Sequence, residues 1–320
     1  MFPGKTRRYS ADEYHGIVHK ILRIVQSFSA NCAVVPSYST KPSFGDVDIV
    51  FVPSVSITRA LLADAFGCGE YVSHNGGVWS LVYEQFQVDL ISTSAIDYNS
   101  AIRYFSFQDR SNLIGRIHHK FGLKHGHDGL WFPVRSNDHV LGNILLTRDL
   151  RLSETFADVN PIDNFDTLEE IFEAVAASKY FNPDIFLLEN RNHTARVRDR
   201  KRATYTAFLE WCKTQTVKTE FYQFDPDKTV YHRKIFKAFP HAKAEFDELW
   251  RRKFEIEAAA LKFNGDIVKE LTGRENVRLG ELMKVLKVRL TPAVVNTMTD
   301  ADINAVILEQ HNQLEIQNAS

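Results

Sequence analysis

The run Phe44 to Pro53, FGDVDIVFVP, restricts the fold more than any other stretch of the chain. Its β-branched and aromatic residues make it a strand, and residues two apart on a strand point to the same face. Asp46 and Asp48 therefore project together, directly after Gly45, at the start of an apolar segment where charge is costly. They repel each other unless something positive lies between them. A third acid, Asp89 in FQVDLIS, has an apolar residue on each side in another short strand of the same predicted sheet. Three carboxylates on one face make a hard, oxygen-rich site that suits Mg²⁺ or Mn²⁺. Two such ions about 3.5–4 Å apart activate an attacking hydroxyl and stabilise the leaving oxygen of an in-line phosphoryl displacement. The plainer alternative makes Asp46 and Asp48 strand-edge charges after a turn, and Asp89 a half-exposed strand acid.

The loop before the pair adds groups that suit a phosphate. Ser37, Tyr38, Ser39 and Thr40 bring hydroxyls, Lys41 a cation, and the backbone N–H groups the makings of an anion nest. As polar turn residues they also make an ordinary loop.

Around this segment the periodicity alternates. Ser10 and Glu13 form an N-cap and acidic first turn, followed by Ile17, Ile21, Ile24 and Val25 at helical spacing. NCAVVPS and DVDIVFVP read as strands, ITRALLADAFG as a helix ended by Gly67, and EYVSHNGGVWSLVYEQFQVDLIST as three strands with an Asn75-Gly76-Gly77 turn. SAIDYNSAIRYF and DRSNLIGRIHHKFG read as helices, LKHGHDGLWFPV as a strand pair, and DTLEEIFEAVAAS as an amphipathic helix. From about Phe186 to Leu314 helical periodicity dominates.

Composition limits the partners. With 39 basic against 40 acidic side chains, the chain of 320 residues has no global field for a polyanion. Any nucleic-acid surface is local, and RNHTARVRDRKR provides a candidate in Arg191, Arg196, Arg198, Arg200, Lys201 and Arg202. WRRK, Trp250 to Lys253, is a second patch; a solvated helix face is the alternative for both. Three scattered cysteines suggest neither a disulfide framework nor a thiolate zinc site. The N-terminus lacks a signal-peptide core and no apolar run is long enough to span a bilayer, so no membrane partner and a cytoplasmic location are expected.

In order and spacing these segments resemble the nucleotidyltransferase superfamily that includes DNA polymerase β. Its hallmark is a Gly-Ser loop, then D-x-D on one strand, then a third Asp on a later strand. PSYSTKPSFGDVDIV stands for the loop and first strand, QVDLI for the second, and YFSFQDRSN for the Tyr-Phe segment and helix that hold the incoming nucleotide in family X polymerases. RIHHKFGLKHGHDGLWF and DTLEEIFEAVAASKYFNPDIF resemble parts of the same thumb. The resemblance implies that Asp46 and Asp48 bridge both Mg²⁺ ions and that Asp89 binds the catalytic one near a primer's 3′-hydroxyl. It implies that Ser37 bonds a terminal phosphate oxygen, with Lys41 and Gly45 in the same nucleotide site. Tyr104 and Phe105 would line the sugar, while Asp109 and Asn112 would face the base. Two departures stand out: Pro36-Ser37 replaces Gly-Ser, and Ser39 and Thr40 replace the family's paired arginines. The triphosphate's cations would then be Lys41, Arg110 or Arg116.

With only a short segment before the first strand, the N-terminal lyase domain of gap-repairing family X members is not expected here. FNGDIVKELTGRENVRLGELMKVLK, Phe263 to Lys287, resembles a pattern in the C-terminal helices of tRNA nucleotidyltransferases and bacterial poly(A) polymerases. Alternatively, Gly265 and Gly273 are helix caps and Leu271, Leu279, Leu282 and Leu286 core. Tyr205, Phe208 and Trp211 lie on one helix face and read as core rather than base-stacking platforms. His118 and His119, adjacent on a helix, cannot converge on one ion.

The expectation is an α+β chain: a nucleotidyltransferase palm with a mixed sheet at 1–105, a small thumb at 106–187, and an all-helical domain at 188–320. The expected activity is Mg²⁺-dependent addition of nucleotides from an NTP to the 3′-hydroxyl of RNA, the end of a tRNA foremost, with release of pyrophosphate. The alternatives are a minimal family X polymerase extending a DNA primer with dNTPs, adenylyl transfer to a small molecule or protein, and a non-catalytic nucleotide- or nucleic-acid-binding module.

Overall fold

Ser10 closes the short strand β1 (Tyr9–Ser10) and caps α1 (Ala11–Gln26). Its hydroxyl accepts from the Glu13 N–H, and the Glu13 carboxylate accepts from the Ser10 N–H at 2.8 Å, a reciprocal capping box. The computed structural model describes Phe2 and residues 4–214 and 220–319. They divide into two units, one of residues up to Pro133 with Asn143–Pro240, the other of Val134–Gly142 with residues from His241 on.

The first unit is built on a five-stranded mixed sheet. After α1 come β2 (Ser29–Val34), the short β3 (Ser43–Phe44) that pairs with β1, β4 (Asp46–Pro53), and α2 (Arg59–Phe66). Gly67 ends α2 in the left-handed region, at φ 59°. Then follow β5 (Val72–Asn75), β6 (Val78–Tyr83) and β7 (Phe86–Ser92), giving the order β2-β4-β7-β6-β5. Every pairing is antiparallel except that of the central strands β4 and β7.

Side-chain alternation assigns the two faces. Val47, Ile49 and Phe51 of β4 and Val88 and Leu90 of β7 join Ile17, Ile21 and Val25 of α1 and Leu62 and Phe66 of α2 in one core. Val50 and Ile91 point the other way, to Ala101, Ile102 and Phe105 of α3 (Tyr98–Phe105).

Beyond α3 lie α4 (Arg110–Lys120) and a three-stranded sheet in the order β10-β9-β8, made of β8 (Lys124–Gly126), β9 (Gly129–Ser136) and β10 (His139–Thr147). The third strand, β10, was not anticipated from the sequence. Helices α5 (Leu150–Phe156), α6 (Leu168–Ala176), α7 (His193–Arg200), α8 (Ala203–Thr214) and α9 (His232–Ala238) complete the first unit. Tyr205 and Phe208 are fully buried, as their spacing predicted.

The second unit is helical apart from the hairpin tip 134–142. It holds α10 (His241–Lys262), α11 (Gly265–Thr272), α12 (Asn276–Arg289), α13 (Pro292–Thr297) and α14 (Asp300–Ala319). Val268, Leu282, Leu286, Val295, Ile303 and Ile307 form its core, with Leu271 and Leu279 at the margin. In the Phe263–Lys287 segment Asn264 caps α11 and Gly273 ends it at φ 66°, so Gly265 and Gly273 sit at helix ends, while Gly280 lies within α12. The WRRK arginines and lysine pair along α10 with Glu248, Glu255 and Glu257, three or four residues away, which makes that patch a solvated ladder. The mixed α/β character and the helical C-terminal part match expectation. Among the described residues no helix is long and apolar enough to cross a membrane.

The turn joining β6 to β7 carries strain. Tyr83 pairs with Phe86, and the two residues between, Glu84 and Gln85, have φ values of 46° and 62°. A two-residue turn of this hand favours glycine, since a side chain at positive φ costs about 1–2 kcal/mol. Tyr9 Oη donates to the Glu84 carbonyl at 2.6 Å and the Arg7 N–H to the Gln85 carbonyl at 2.8 Å, holding the turn. Gln85→Gly is expected to raise stability by about 1 kcal/mol in a denaturant melt, because the carbonyl contact survives and the strain does not. An unchanged or lower midpoint would show the turn to be unstrained.

Candidate active site

The parallel register of β4 and β7 places Asp46 opposite Gln87 and Asp48 opposite Asp89. By the alternation above, all three aspartates lie on the face that Val50 and Ile91 share with α3. One face thus turns from apolar to anionic along the two strands. Asp46 is exposed, and Asp48 and Asp89 are half-buried. Burial, followed by the charges of Asp46 and Asp89, raises the Asp48 pKa to about 7, with Lys41 opposing the rise. Burial also raises that of Asp89, whose Oδ2 accepts from Gln87 Nε2 at 2.9 Å. Its Oδ1 is buried without a hydrogen-bond partner.

Asp46 and Asp48 line a cleft of about 410 Å³ with Ser37, Lys41, Phe105 and Asp109, all predicted for the site. Tyr14, Phe44, Gln108, Arg202 and Thr204 complete the lining that matters here. Phe44 stacks on Tyr14 with ring centroids 3.7 Å apart, and Lys41 Nζ lies 4.6 Å from the Phe44 ring centre. Burial lowers the Lys41 pKa, while Asp46 and Asp48 oppose that effect. Gly45 faces Arg8: a Cβ there would stand 3.1 Å from a guanidinium nitrogen.

Gln108 is among the lining residues that escaped the sequence reading. It follows Phe107 in the turn between α3 and α4, and both have positive φ, 62° and 60°. The Phe107 N–H donates to the Pro36 carbonyl at 2.8 Å, and Gln108 Nε2 donates to Ser37 Oγ at 2.8 Å, so a strained turn aims an amide at the predicted phosphate-binding serine. Arg202, predicted as part of a nucleic-acid surface, forms an ion pair with Asp109 at the cleft wall. No local pattern announces either contact, since the partners are 71 and 93 residues apart.

Other predicted residues lie elsewhere. The Ser39 and Thr40 hydroxyls both donate to Asp166, and their N–H groups donate to the Phe165 and Asp166 carbonyls. Those groups do not form an anion nest. Tyr104 and Asn112 line a separate hollow with Arg116. Tyr104 and Phe105 are consecutive on α3, about 100° apart around its axis, and so enter different hollows. Arg110 is 1 % exposed and bound to Glu154, which removes it as a triphosphate partner. Arg191 is buried against Asp199 and the Tyr205 hydroxyl, a structural position rather than a free basic surface. Arg198 pairs with Asp199, Arg196 is half-buried, and Arg200 and Lys201 are exposed. His118 meets His125 rather than His119: both rings contact Ser153 Oγ at 3.0 Å, and burial holds both pKa values down, that of His125 to about 4.

The three aspartates share a face without forming a finished ligand set, for among the described residues no group of three or more His, Cys, Asp or Glu is arranged to hold a metal ion. Their donor chemistry nevertheless suits a hard divalent cation, given the unpartnered buried Oδ1 of Asp89 and the burial and neighbouring charges that raise Asp48. No protein-family model matches the chain, and no curated protein matches it.

Burial and repulsion at Asp48 have a thermodynamic sign. A carboxyl whose folded pKa lies above its unfolded value near 4 contributes least to stability when ionised, so this contribution falls as pH rises from about 4 through 7. Asp48→Asn removes the charge. In metal-free buffer the variant is expected to melt above the wild type at pH 8, by an amount on the order of a few kcal/mol that shrinks towards pH 4. A difference independent of pH would contradict ionisation of Asp48 as its source.

Proposed function

We propose that the chain is a metal-dependent nucleotidyltransferase that joins a nucleotide to the 3′-hydroxyl of an RNA. The observation that carries this reading is the register of β4 and β7, which sets Asp48 beside Asp89 with Asp46 on the same face. The RNA acceptor rests on the resemblance of Phe263–Lys287 to template-independent enzymes.

In this reading Asp46, Asp48 and Asp89 hold Mg²⁺, or Mn²⁺ in its place. Held there, such ions would supply Lewis acidity for ionisation of the attacking hydroxyl and for charge on the leaving pyrophosphate. The hydroxyl oxygen bonds to the α-phosphorus as the bond to the β-phosphate bridging oxygen breaks. Ser37, oriented by Gln108, bonds a phosphate oxygen, and Lys41 with Arg202 supplies positive charge across the cleft. Phe105 gives the apolar wall for a sugar. Asp109 holds Arg202 in place, which makes it a positioning residue in this reading.

Asp48→Ala and Asp89→Ala are each expected to reduce incorporation of labelled NTP into tRNA lacking its 3′ end by at least about a thousandfold, with the circular-dichroism spectrum unchanged. Gapped DNA with dNTPs forms the parallel arm. Extension of DNA alone would replace RNA by a DNA primer, and full activity in either variant would sink the metal-site reading.

A further inference from the structure

Four buried arginines occur among the described residues: Arg110, Arg116, Arg191 and Arg274. Arg110 binds Glu154, Arg191 binds Asp199, and Arg274 binds Glu315. Arg116, 8 % exposed, differs: its Nε and Nη2 donate only to the Ile185 carbonyl, at 3.1 and 3.0 Å. Among the described residues no carboxylate lies within ion-pair distance of it. A buried cation without an anion is costly, and proteins seldom leave one so.

Arg116 opens on the hollow of about 220 Å³ that also takes in Lys124, Arg191, Arg198, Asn112 and Tyr104. Four cations face this space, and no carboxylate is among its lining residues. Asp199, which is not among the lining residues, pairs with Arg191 and Arg198. Four positive charges against that one negative charge leave three uncompensated. Asn112, one helical turn before Arg116 on α4, has a buried Nδ2 without a hydrogen-bond partner. Excess positive charge and an idle amide donor together specify an oxyanion.

We propose that this hollow is a binding site for a phosphate group, separate from the carboxylate cleft. Arg116 and Arg191 form its floor, and the exposed Lys124 and Arg198 its mouth. The shared chemistry is a phosphate oxyanion, which reaches the hollow either as a free phosphate or as a phosphodiester of a single-stranded nucleic acid. Tyr104 supplies an aromatic face in the latter case. The site does not depend on catalysis at Asp48, so Asp48→Asn leaves it intact.

The test is calorimetric titration of the full chain with inorganic phosphate and, separately, with a short single-stranded oligoribonucleotide. Lys124→Ala/Arg198→Ala changes two exposed side chains and is expected to weaken binding about tenfold. Asn112→Asp places an anion one turn from Arg116, so it is expected to raise the melting temperature and abolish binding. Loss of both ligands assigns a site that accepts either source. Loss of phosphate alone assigns the free anion; loss of oligonucleotide alone, with a salt slope reduced by about one, assigns a backbone phosphate. Wild-type affinity for both ligands in the two variants, or no binding of either by the wild type, would overturn the site.

Discussion

Glu154 is 1 % exposed and takes two guanidinium groups, Arg103 from α3 and Arg110 from α4, each through both of its oxygens. Between those helices lies the turn with Phe107 and Gln108 at positive φ. Strain of this kind costs about 1–3 kcal/mol per residue. Removing one partner from a buried ion pair costs about 3–5 kcal/mol, and here loss of the carboxylate would strand two cations. The cost of breaking the clasp is therefore of the same order as the strain of the two-residue turn it holds. Asp163 extends it to the surface by bridging Arg103 and Arg151. What depends on the clasp is the cleft wall, since Gln108 reaches Ser37 and Asp109 reaches Arg202 only from a turn bent in this way.

The cleft treats its acids unequally. Asp109 has an arginine partner, whereas Asp46, Asp48 and Asp89 share a face with Lys41 as the opposing charge felt at Asp48. A protein selected for stability alone would have no use for such a triad on central strands, where apolar residues would pack at less cost. Electrostatic disadvantage of this kind is common where the charges themselves perform a task. The same reasoning applies with the sign reversed to Arg116.

The features legible in the sequence are those fixed by local geometry. Strand alternation put Asp46 and Asp48 on one face, the Ser10–Glu13 spacing gave the cap of α1, and Asn75-Gly76-Gly77 gave a hairpin. The parallel register that brings Asp89 level with Asp48 is a long-range pairing with no local signature. So are the ties of Ser39 and Thr40 to Asp166 and the burial of Arg191 on Asp199, each of which consumed groups that looked available. The divergence of Tyr104 and Phe105 is different. Helical geometry separates consecutive side chains by about 100°, and it parts this pair as it parts His118 from His119.

The segment from Arg191 to Arg202 links the two hollows within the first unit. Arg191 and Arg198 line the cationic one, and Arg202 lines the anionic one. A phosphate chain attracted by the first has, in Arg202 and Lys41, cations at the second, where the carboxylates alone would repel it. Repulsion between an acidic cleft and a polyanion is the main electrostatic obstacle to the proposed reaction, and divalent ions remove it only at the carboxylates themselves. Arg202 meets the obstacle at the wall, and its ion pair with Asp109 sets the cost of turning towards a ligand. That pair is solvated on one side only: Arg202 is 42 % exposed and can turn towards a phosphate oxygen, while Asp109 is buried and bears the cost of the exchange. A pair buried on both sides, such as Arg110–Glu154, offers no such exchange, which is why Arg202 with Lys41, and not Arg110, presents positive charge to the cleft.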